Sequence, residues 1–384
     1  MANIWEHPSI IAAEALTHLE DALVIAPLCA KDKTSDFTDK ANGWKVGDTV
    51  SFRTHGEYAV DEFTSTISTQ AISSSTRPME IEKHYDISVE VTAREQSLDL
   101  DSFVDQVIRP ATYKLAEKVD LHIGTKLLEA AGAYYSTGLF ETAADIALAR
   151  KAATLQQLAM NRFCLVDLDI EAVLLGQTWF NQSQTRGGDG ELTLRNADMG
   201  RVMGMDFYAS IAFPTDAAET RGTASTTVDN ASGTKNLIGD KILTIDDPST
   251  STLVAGDRLV IAGCKRPLIS TLTDATASGL TEITLADPIT EIITDGAAVT
   301  ILAAGKDTNH HGVIMDDRSL AVAFPMLDLP EDRVAATASN NGVSIRIVKG
   351  YDLSSKKTTM SLDLLVGAFA LDPRRITLIG DKTA

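Results

Sequence analysis

The sequence lacks long apolar runs, paired cysteines and a recognisable signal segment. No run approaches the ~18 consecutive apolar residues that a membrane-spanning helix needs, so none is predicted. The three cysteines lie far apart in apolar surroundings, and an odd number without metal-ligand spacing favours buried free thiols in a reducing compartment. They are Cys29, Cys164 and Cys264. The stretch 22–30 has the length of a signal-peptide core, but acidic residues precede it, so no signal sequence is expected.

Basic residues are scarce relative to acidic ones. The chain has 34 Lys and Arg against 53 Asp and Glu, which gives a net charge of −19 over 384 residues. A protein that binds free nucleic acid needs a basic surface to contact phosphates. The balance therefore excludes tight, direct DNA binding over most of the surface. Arg201, Arg374 and Arg375 could form isolated basic spots, but the sequence predicts no basic patch.

Recognisable catalytic motifs are also missing. The chain has no G-x-x-x-x-G-K-[ST] loop, no G-x-S-x-G turn and no H-E-x-x-H motif. The adjacent His310 and His311 have no third ligand nearby, which favours a solvated loop over a metal site. Acidic pairs at 246–247 and 316–317 are typical of turns, and Cys164 is interpreted as strand core. We therefore predict no catalytic residue, no cofactor-binding residue, no metal ligand and no cofactor, and we do not expect an enzyme.

The most regular pattern is an apolar residue at every fourth position between residues 99 and 131. This spacing predicts one long helix. A four-residue step drifts by about 40° per step from the 3.6-residue turn, so the apolar stripe winds around the helix and should contact several neighbours in succession. Pro110 is expected to kink it. The stripe consists of Phe103, Val107, Ala111, Leu115, Val119, Ile123, Leu127 and Ala131.

Residues 44–98 have strand character on either side of a Ser/Thr-rich segment. Val46, Val50 and Phe52 mark a first strand, and strict alternation over 81–91 predicts a second, half-exposed strand. The segment between them has few apolar anchors. It therefore predicts a long exposed hairpin or loop, which is either disordered or a binding element.

Residues 216–305 form a compositional island. None of the 7 Tyr, 11 Phe and 3 Trp residues of the chain falls there. Short strands separated by Gly-Asp and Asp-Gly turns predict a small barrel or sandwich, inserted into a chain whose ordinary composition resumes at Gly312. Its strands are expected at Lys241–Ile245, Arg258–Ala262, Glu282–Leu285 and Ala298–Leu302.

The remaining segments alternate between helical and extended character. Trp179–Arg195 is polar and rich in glycine, which predicts a mobile loop. Ser344–Lys349 and Thr358–Leu365 predict an antiparallel hairpin. The other predictions are helices over 1–26, 142–160 and 169–175, and strands over 162–166 and 200–214.

Several stretches, taken in order, carry a resemblance to a known family. They are 89–92 and 97–98 before the long helix, 200–210 (GRVMGMDFYAS), 253–263 (LVAGDRLVIAG), Tyr351-Asp352 and 360–373 (MSLDLLVGAFALDP). This order resembles the major capsid protein of tailed bacteriophages, the Johnson fold shared with herpesvirus capsids and encapsulins. The island resembles the inserted barrel of coat proteins from short-tailed phages.

The resemblance implies an α+β capsid fold with an N-terminal arm, an extended β-hairpin loop, a long spine helix, axial and peripheral domains, and an inserted all-β barrel domain. The implied boundaries are 1–43 for the arm, 44–98 for the extended loop, 99–140 for the spine helix and peripheral domain, 141–215 for the axial domain, 216–305 for the barrel, 306–340 for the axial return and 341–384 for the C-terminal peripheral strands.

The same resemblance implies a function. Copies would assemble as pentamers and hexamers into an icosahedral virion shell, in the cytoplasm of a host bacterium. The implied partners are other copies of the chain, a separate scaffolding protein, a portal protein and packaged double-stranded DNA bound only non-specifically, with no membrane. Three other functions stay open: an encapsulin-like nanocompartment, a β-rich surface or adhesin subunit, and an enzyme with an unrecognised site in the 179–190 segment.

Overall fold

The chain is a mixed α+β protein, as predicted, and divides into two compact units. The first unit comprises residues 1–119 and 320–372, and the second comprises 120–319 and 373–384. A computed structural model describes residues 8–31, 47–53, 76–91, 104–137, 140–155, 161–182, 188–211, 225–230, 235–246, 252–253, 258–264, 268–271, 275–276, 282–285, 288–289, 291–302, 310–330, 333–352 and 357–381.

The described helices are α1 (Pro8–Ala22), α2 (Arg109–Ala130), α3 (Ala143–Leu155), α4 (Leu168–Gly176), α5 (Thr178–Asn181) and α6 (Gly188–Asn196), with a π-helical stretch at Val104–Ile108 and 3₁₀ turns at Ala26–Leu28 and Pro373–Arg375. The described strands are β1 (Thr49–Arg53), β2 (Thr76–Glu80), β3 (Lys83–Val91), β4 (Ala133–Thr137), β5 (Arg162–Val166), β6 (Arg201–Val202), β7 (Met205–Ala209), β8 (Ser225–Thr227), β9 (Ile242–Thr244), β10 (Thr252–Leu253), β11 (Arg258–Ile261), β12 (Leu268–Ile269), β13 (Ala275–Thr276), β14 (Glu282–Thr284), β15 (Ala298–Leu302), β16 (His310–Met315), β17 (Leu320–Ala323), β18 (Val334–Asn340), β19 (Val343–Asp352), β20 (Lys357–Ala370) and β21 (Thr377–Asp381).

The first unit is built on a sheet around β20, whose 14 residues make it the longest described strand. Strands β3, β17 and β19 all pair with β20 in antiparallel register, and β18 pairs with β19. The predicted hairpin of residues 344–349 and 358–365 is therefore confirmed. Asn341 (φ 47°) and Gly342 (φ 77°) join β18 to β19 in the left-handed conformation that Asn-Gly hairpin turns favour.

Helix α1 packs its apolar stripe against β18 and β19. It begins at Pro8 and ends at Ala22, so it is shorter than the predicted 1–26, and residues 1–7 lie outside the described residues. A proline in the first helical turn loses no hydrogen bond, which explains this start. The buried residues recur at helical spacing: Ile11, Ala12, Ala15, Leu16 and Leu19.

Strands β1 and β2 form a two-stranded antiparallel ribbon, with Thr49 opposite Glu80 and Arg53 opposite Thr76. The prediction that residues 81–91 form the second strand of this hairpin is wrong, because β3 pairs with β20 instead. The alternation of apolar and polar residues correctly predicted that β3 is a strand, but it did not indicate which strand β3 pairs with. The hairpin tip at residues 54–75 lies outside the described residues.

The long helix is confirmed from Val104 onward, and its predicted start at residues 99–103 lies outside the described residues. Its predicted stripe is buried from Ala111 through Ala131. Pro110 lies in the first turn of α2, directly after the π-helical stretch, so its missing N–H falls at a change of helix type rather than in the middle of an α-helix. Val119 is the last residue of α2 in the first unit.

The second unit contains a six-stranded sheet with the order β4-β21-β16-β5-β7-β6. Strand β5 occupies the predicted residues 162–166. The prediction of a mobile loop over 179–195 is wrong for the described residues, which form α5 and α6. Phe180 is fully buried with its ring centroid 6.5 Å from that of Phe207, and Trp179 Nε1 donates to the Glu141 carbonyl at 3.3 Å. These contacts hold α5 against the core of the second unit.

The island is all-β in its described residues, and the strands predicted at 241–245, 258–262, 282–285 and 298–302 are present with small shifts at their ends. A four-stranded sheet has the order β12-β11-β15-β8, and β14 pairs with β9. Single bridges join these two sheets at Val228–Ile245 and Ser270–Leu285. A third, two-stranded sheet pairs β10 with β13, so the described residues form three sheets and no continuous closed barrel. The aliphatic core lies between the first two sheets.

Candidate functional site

Within the described residues, no group of three or more His, Cys, Asp and Glu side chains is placed to hold a metal ion. His310 and His311 lie in strand β16, not in the predicted loop. Cys164 is buried in the core beside β7, and burial raises the pKa of its thiol well above the ordinary range. A thiol held neutral is a poor nucleophile, so the structure assigns Cys164 the predicted core position.

The part of the chain that the structure describes contains no helix that could span a membrane. Each helix there is too short or too polar to cross a bilayer.

A polar network lies across β3, β20 and β19 in the first unit. Asp86 on β3 is directly opposite Asp363 on β20, and the single hydroxyl of Ser361 is within hydrogen-bond reach of both carboxyl groups. Arg346 on β19 donates to Asp363 Oδ2 through Nη2 at 2.5 Å. The guanidinium neutralises one carboxylate of the pair, so this arrangement fastens three strands together instead of exposing two reactive acids.

A second network closes the turn after β16. Asp316 is fully buried and accepts hydrogen bonds from Ser319 Oγ at 2.8 Å, the Arg318 amide at 3.2 Å and Arg375 Nη1 at 2.5 Å. The prediction that residues 316–317 are turn residues is confirmed. Through its contacts with Arg375, the turn after β16 is held against the 3₁₀ turn that precedes β21.

Two further arginines adjoin this turn. Arg162 is the first residue of β5, and because Phe163 pairs with Met315, Arg162 lies beside Asp316. Arg162 Nη1 also donates to Thr154 Oγ1 at 2.8 Å, one helical turn after Arg150. Burial lowers the pKa of Arg162, the positive charge of Arg150 lowers it further, and Asp316 partly opposes both effects.

Arg374 follows the same pattern, because burial and then the neighbouring Arg375 lower its pKa. We call Arg150, Arg162, Arg374 and Arg375 the basic row. Arg375, one of the predicted basic spots, shares the buried Asp316 with Arg162. Arg201 instead forms an ion pair with Asp206 at 3.6 Å. Arg150 and Arg162 carried no sequence signal, because their proximity arises from strand pairing between distant segments.

Large apolar side chains are exposed in groups on the second unit. Two lie on α3, two on α6, one after β7 and three on adjoining island loops: Leu148, Leu155, Leu192, Leu194, Ile211, Leu237, Ile238 and Ile292. Single exposed apolar residues are ordinary, whereas groups of them mark contact surfaces between proteins. Leu148 and Leu155, seven residues apart on α3, lie on the same side of that helix and are the clearest candidate for such a contact.

Comparisons with known proteins establish the fold. A solved structure of Mycobacterium phage Che8 matches with a TM-score of 0.50 and 13% identity, over 93% of this chain and 90% of that chain. The chain has the capsid-protein fold of tailed phages. The capsid structure of the Cyanophage P-SCSP1u matches this capsid-type chain with a TM-score of 0.45 and 12% identity, over 89% and 86% of the two chains.

A virus-like particle from Pyrococcus furiosus matches this capsid-type chain with a TM-score of 0.40 and 8% identity, over 96% of each chain. No protein-family model matches the sequence. No curated protein matches it either.

Proposed function

We propose that this chain is the major capsid protein of a tailed phage, and that its copies form the pentamers and hexamers of an icosahedral shell around double-stranded DNA. The observation that carries the proposal is the capsid-type fold, which extends over 93% of the chain. The exposed apolar groups on α3, α6 and the island support it, because a subunit of a shell must bury such surfaces against its neighbours.

Individual elements take roles in this proposal. Helix α1 belongs to the N-terminal arm at residues 1–43, the β1–β2 ribbon to the extended loop at 44–98, and α2 to the spine at 99–140. The base of the ribbon is fixed by buried Met79 and Ile81, which pack with Ala323 and Leu365. A ribbon anchored at one end can reach a neighbouring subunit without loosening its own unit.

The remaining parts come from both units, since residues 320–372 belong to the first unit. Residues 141–215 and 306–340 would form the axial domain, and 216–305 would be the inserted β-domain with its own aliphatic core. Residues 341–384 would complete the peripheral domain. A closed barrel in the inserted domain belongs to this proposal, because two of the described sheets already meet at two single bridges.

The charge of the chain suits a container. A net charge of −19 disfavours contact with packaged DNA along its length, so DNA would be held non-specifically inside the virion. The proposal includes a separate scaffolding protein and a portal protein as partners, with assembly in the host cytoplasm.

Electron microscopy of the purified full-length chain tests the proposal. We expect closed shells by negative stain, formed alone or after co-expression with a scaffolding protein encoded beside it. A variant lacking residues 57–72 keeps β1 and β2 but should give a folded, unassembled chain. A chain that stays monomeric under all these conditions contradicts the proposal, and shells that enclose a protein cargo rather than DNA would identify a nanocompartment.

A further inference from the structure

Arg150 in the basic row is an exposed cation that faces another cation. Its side chain is solvent-accessible on α3, and within the described residues it forms no ion pair. Its guanidinium lies over the β6–β7 turn, with Nη2 3.9 Å from the position that a Cβ atom on Gly204 would take. Met205, the next residue, pairs with Arg162. Arg150 and Arg162 therefore converge on the same turn from two sides.

Two neighbouring guanidinium groups disfavour each other's charge unless an anion lies near them. Arg162 is 5% exposed and is held by Thr154, so it cannot swing away from Arg150. Asp316 offsets part of this repulsion on the Arg162 side, and an anion that reaches Arg150 from solvent would offset it further. A carboxylate suits the position, because guanidinium and carboxylate groups form two parallel hydrogen bonds.

The surroundings indicate a protein ligand. Met203, in the same turn as Gly204, is 39% exposed, and Leu155 at the end of α3 is 47% exposed. Met and Arg are both enriched at protein–protein interfaces, so an exposed Met in the turn below Arg150 favours a protein ligand. A second copy of this chain also brings an excess of carboxylates, with 53 acidic against 34 basic residues.

We propose that Arg150, supported by Arg162, receives an Asp or Glu carboxylate of a second copy of this chain when copies assemble. This inference rests on the proposed function and adds the chemistry of one contact between copies. The contact forms only between two copies, because the carboxylate belongs to the second copy.

The first experiment compares shell formation by the full-length chain and its variants. Arg150→Glu reverses the charge, and Arg150→Gln removes it. Lys114→Glu is the matched control, because Lys114 is also exposed on a helix but pairs with Glu117 at 2.6 Å. We expect at least a ten-fold loss of shells on density gradients for Arg150→Glu, a smaller loss for Arg150→Gln, and less than a two-fold change for Lys114→Glu. Thermal melting should show that all three variants are folded.

The second experiment identifies the carboxylate. Shells are assembled from an equal mixture of ¹⁴N- and ¹⁵N-labelled Arg150→Lys chains and treated with a water-soluble carbodiimide. The reagent joins the introduced ammonium to a carboxylate within contact distance, forming an amide while the carbodiimide takes up the water as a urea. We expect mixed-isotope peptides in which position 150 is joined to an Asp or Glu of the other copy.

The outcomes separate this inference from the proposed function. A wild-type chain that never forms shells contradicts the proposed function and the inference together. Wild-type shells with normal shells from Arg150→Glu overturn the inference alone. Normal Arg150→Glu shells that hold less DNA would make the site a phosphate contact, which also overturns the carboxylate assignment. Cross-links confined to a single copy would overturn it as well.

Discussion

Asp86 and Asp363 lie directly opposite each other on the antiparallel strands β3 and β20, and the hydroxyl of Ser361 bridges their carboxyl groups. Burial and then the hydrogen bond with Asp363 raise the pKa of Asp86. Burial would also raise the pKa of Asp363, but hydrogen bonds from Asp86 and Ser361 and the pairing with Arg346 outweigh it and lower that pKa. A proton bound by this pair therefore favours Asp86 over Asp363.

This pair makes the sheet sensitive to pH. A carboxyl with a raised folded pKa stabilises the fold at low pH, and this contribution is lost as the pH rises through the folded pKa. Asp86→Asn supplies a permanent donor to Asp363, so it should stabilise the chain at pH 7 by about 0.5 kcal/mol, and the gain should shrink towards pH 4. Thermal unfolding of the wild type and the variant at both pH values measures it.

A carboxylate on the same strand provides the control for Asp86. Glu90 accepts from Lys357 Nζ at 2.5 Å, so Glu90→Gln removes a favourable pair and should not stabilise the chain at pH 7. An Asp86→Asn variant that loses the same stability at both pH values would refute the assignment of the proton to Asp86.

The base of the β1–β2 ribbon depends on a close backbone approach. A Cβ atom on Gly367 would lie 2.6 Å from the Glu80 carbonyl oxygen and 3.3 Å from Ile81 Cα. Because backbone atoms cannot rotate away, Gly367→Ala should cost about 1–3 kcal/mol of unfolding free energy, measured by denaturant titration.

Gly350 is the matched glycine in the same sheet. Its added Cβ would meet only Arg333 Nη1, at 2.7 Å, and a flexible side chain can move. Gly350→Ala should therefore stay within about 0.5 kcal/mol of the wild type. Equal effects of the two substitutions would show that the ribbon base is not held by this approach.

The buried turn at Asp316 should be a major source of stability in the second unit. Asp316→Asn removes the fully buried negative charge that Arg375 contacts at 2.5 Å, and leaves the half-buried Arg375 without this counter-ion. We expect a loss of about 3 kcal/mol, measured by denaturant titration. Asp317→Asn, at the exposed neighbouring position, should change the unfolding free energy by less than about 0.5 kcal/mol. Similar losses at both positions would argue against the ion pair as the cause.

Local patterns predicted local structure well. The apolar run at residues 162–166 matches β5, and the four-residue apolar spacing matches the buried face of α2. The alternation in β3 predicted a half-exposed strand. Each of these signals depends on residues close together in the sequence, where hydrophobic periodicity is decisive.

Long-range pairing was not predictable from the sequence. Nothing near Val91 indicates that it lies opposite Thr358, and so the hairpin was assigned the wrong second strand. The basic row was missed for the same reason, because Arg162 and Arg375 meet only through Asp316. Helix α6 was missed because its glycines suggested a loop, although Asp189 and Glu191 in the first turn favour a helix start.

The island should fold when it is separated from the rest of the chain. Its described residues form their own aliphatic core around Leu243, Leu259 and Val299, and its strands pair with one another. We expect residues 216–305, expressed alone, to give a β-type circular dichroism spectrum and a cooperative thermal transition. A random-coil spectrum for this fragment, beside a folded full-length chain, would show that the island depends on its surroundings.

Two leucines of the island distinguish a packed core from a loose collapse. Leu259 is fully buried and Leu237 is 50% exposed. A Leu→Ala substitution therefore removes the same atoms from a buried and from an exposed position. In the isolated fragment, Leu259→Ala should cost about 2–5 kcal/mol, because it removes buried contacts and leaves a cavity. Leu237→Ala should change stability by less than about 0.5 kcal/mol. If both substitutions lowered the melting temperature equally, the fragment would be collapsed without the specific packing of the two sheets.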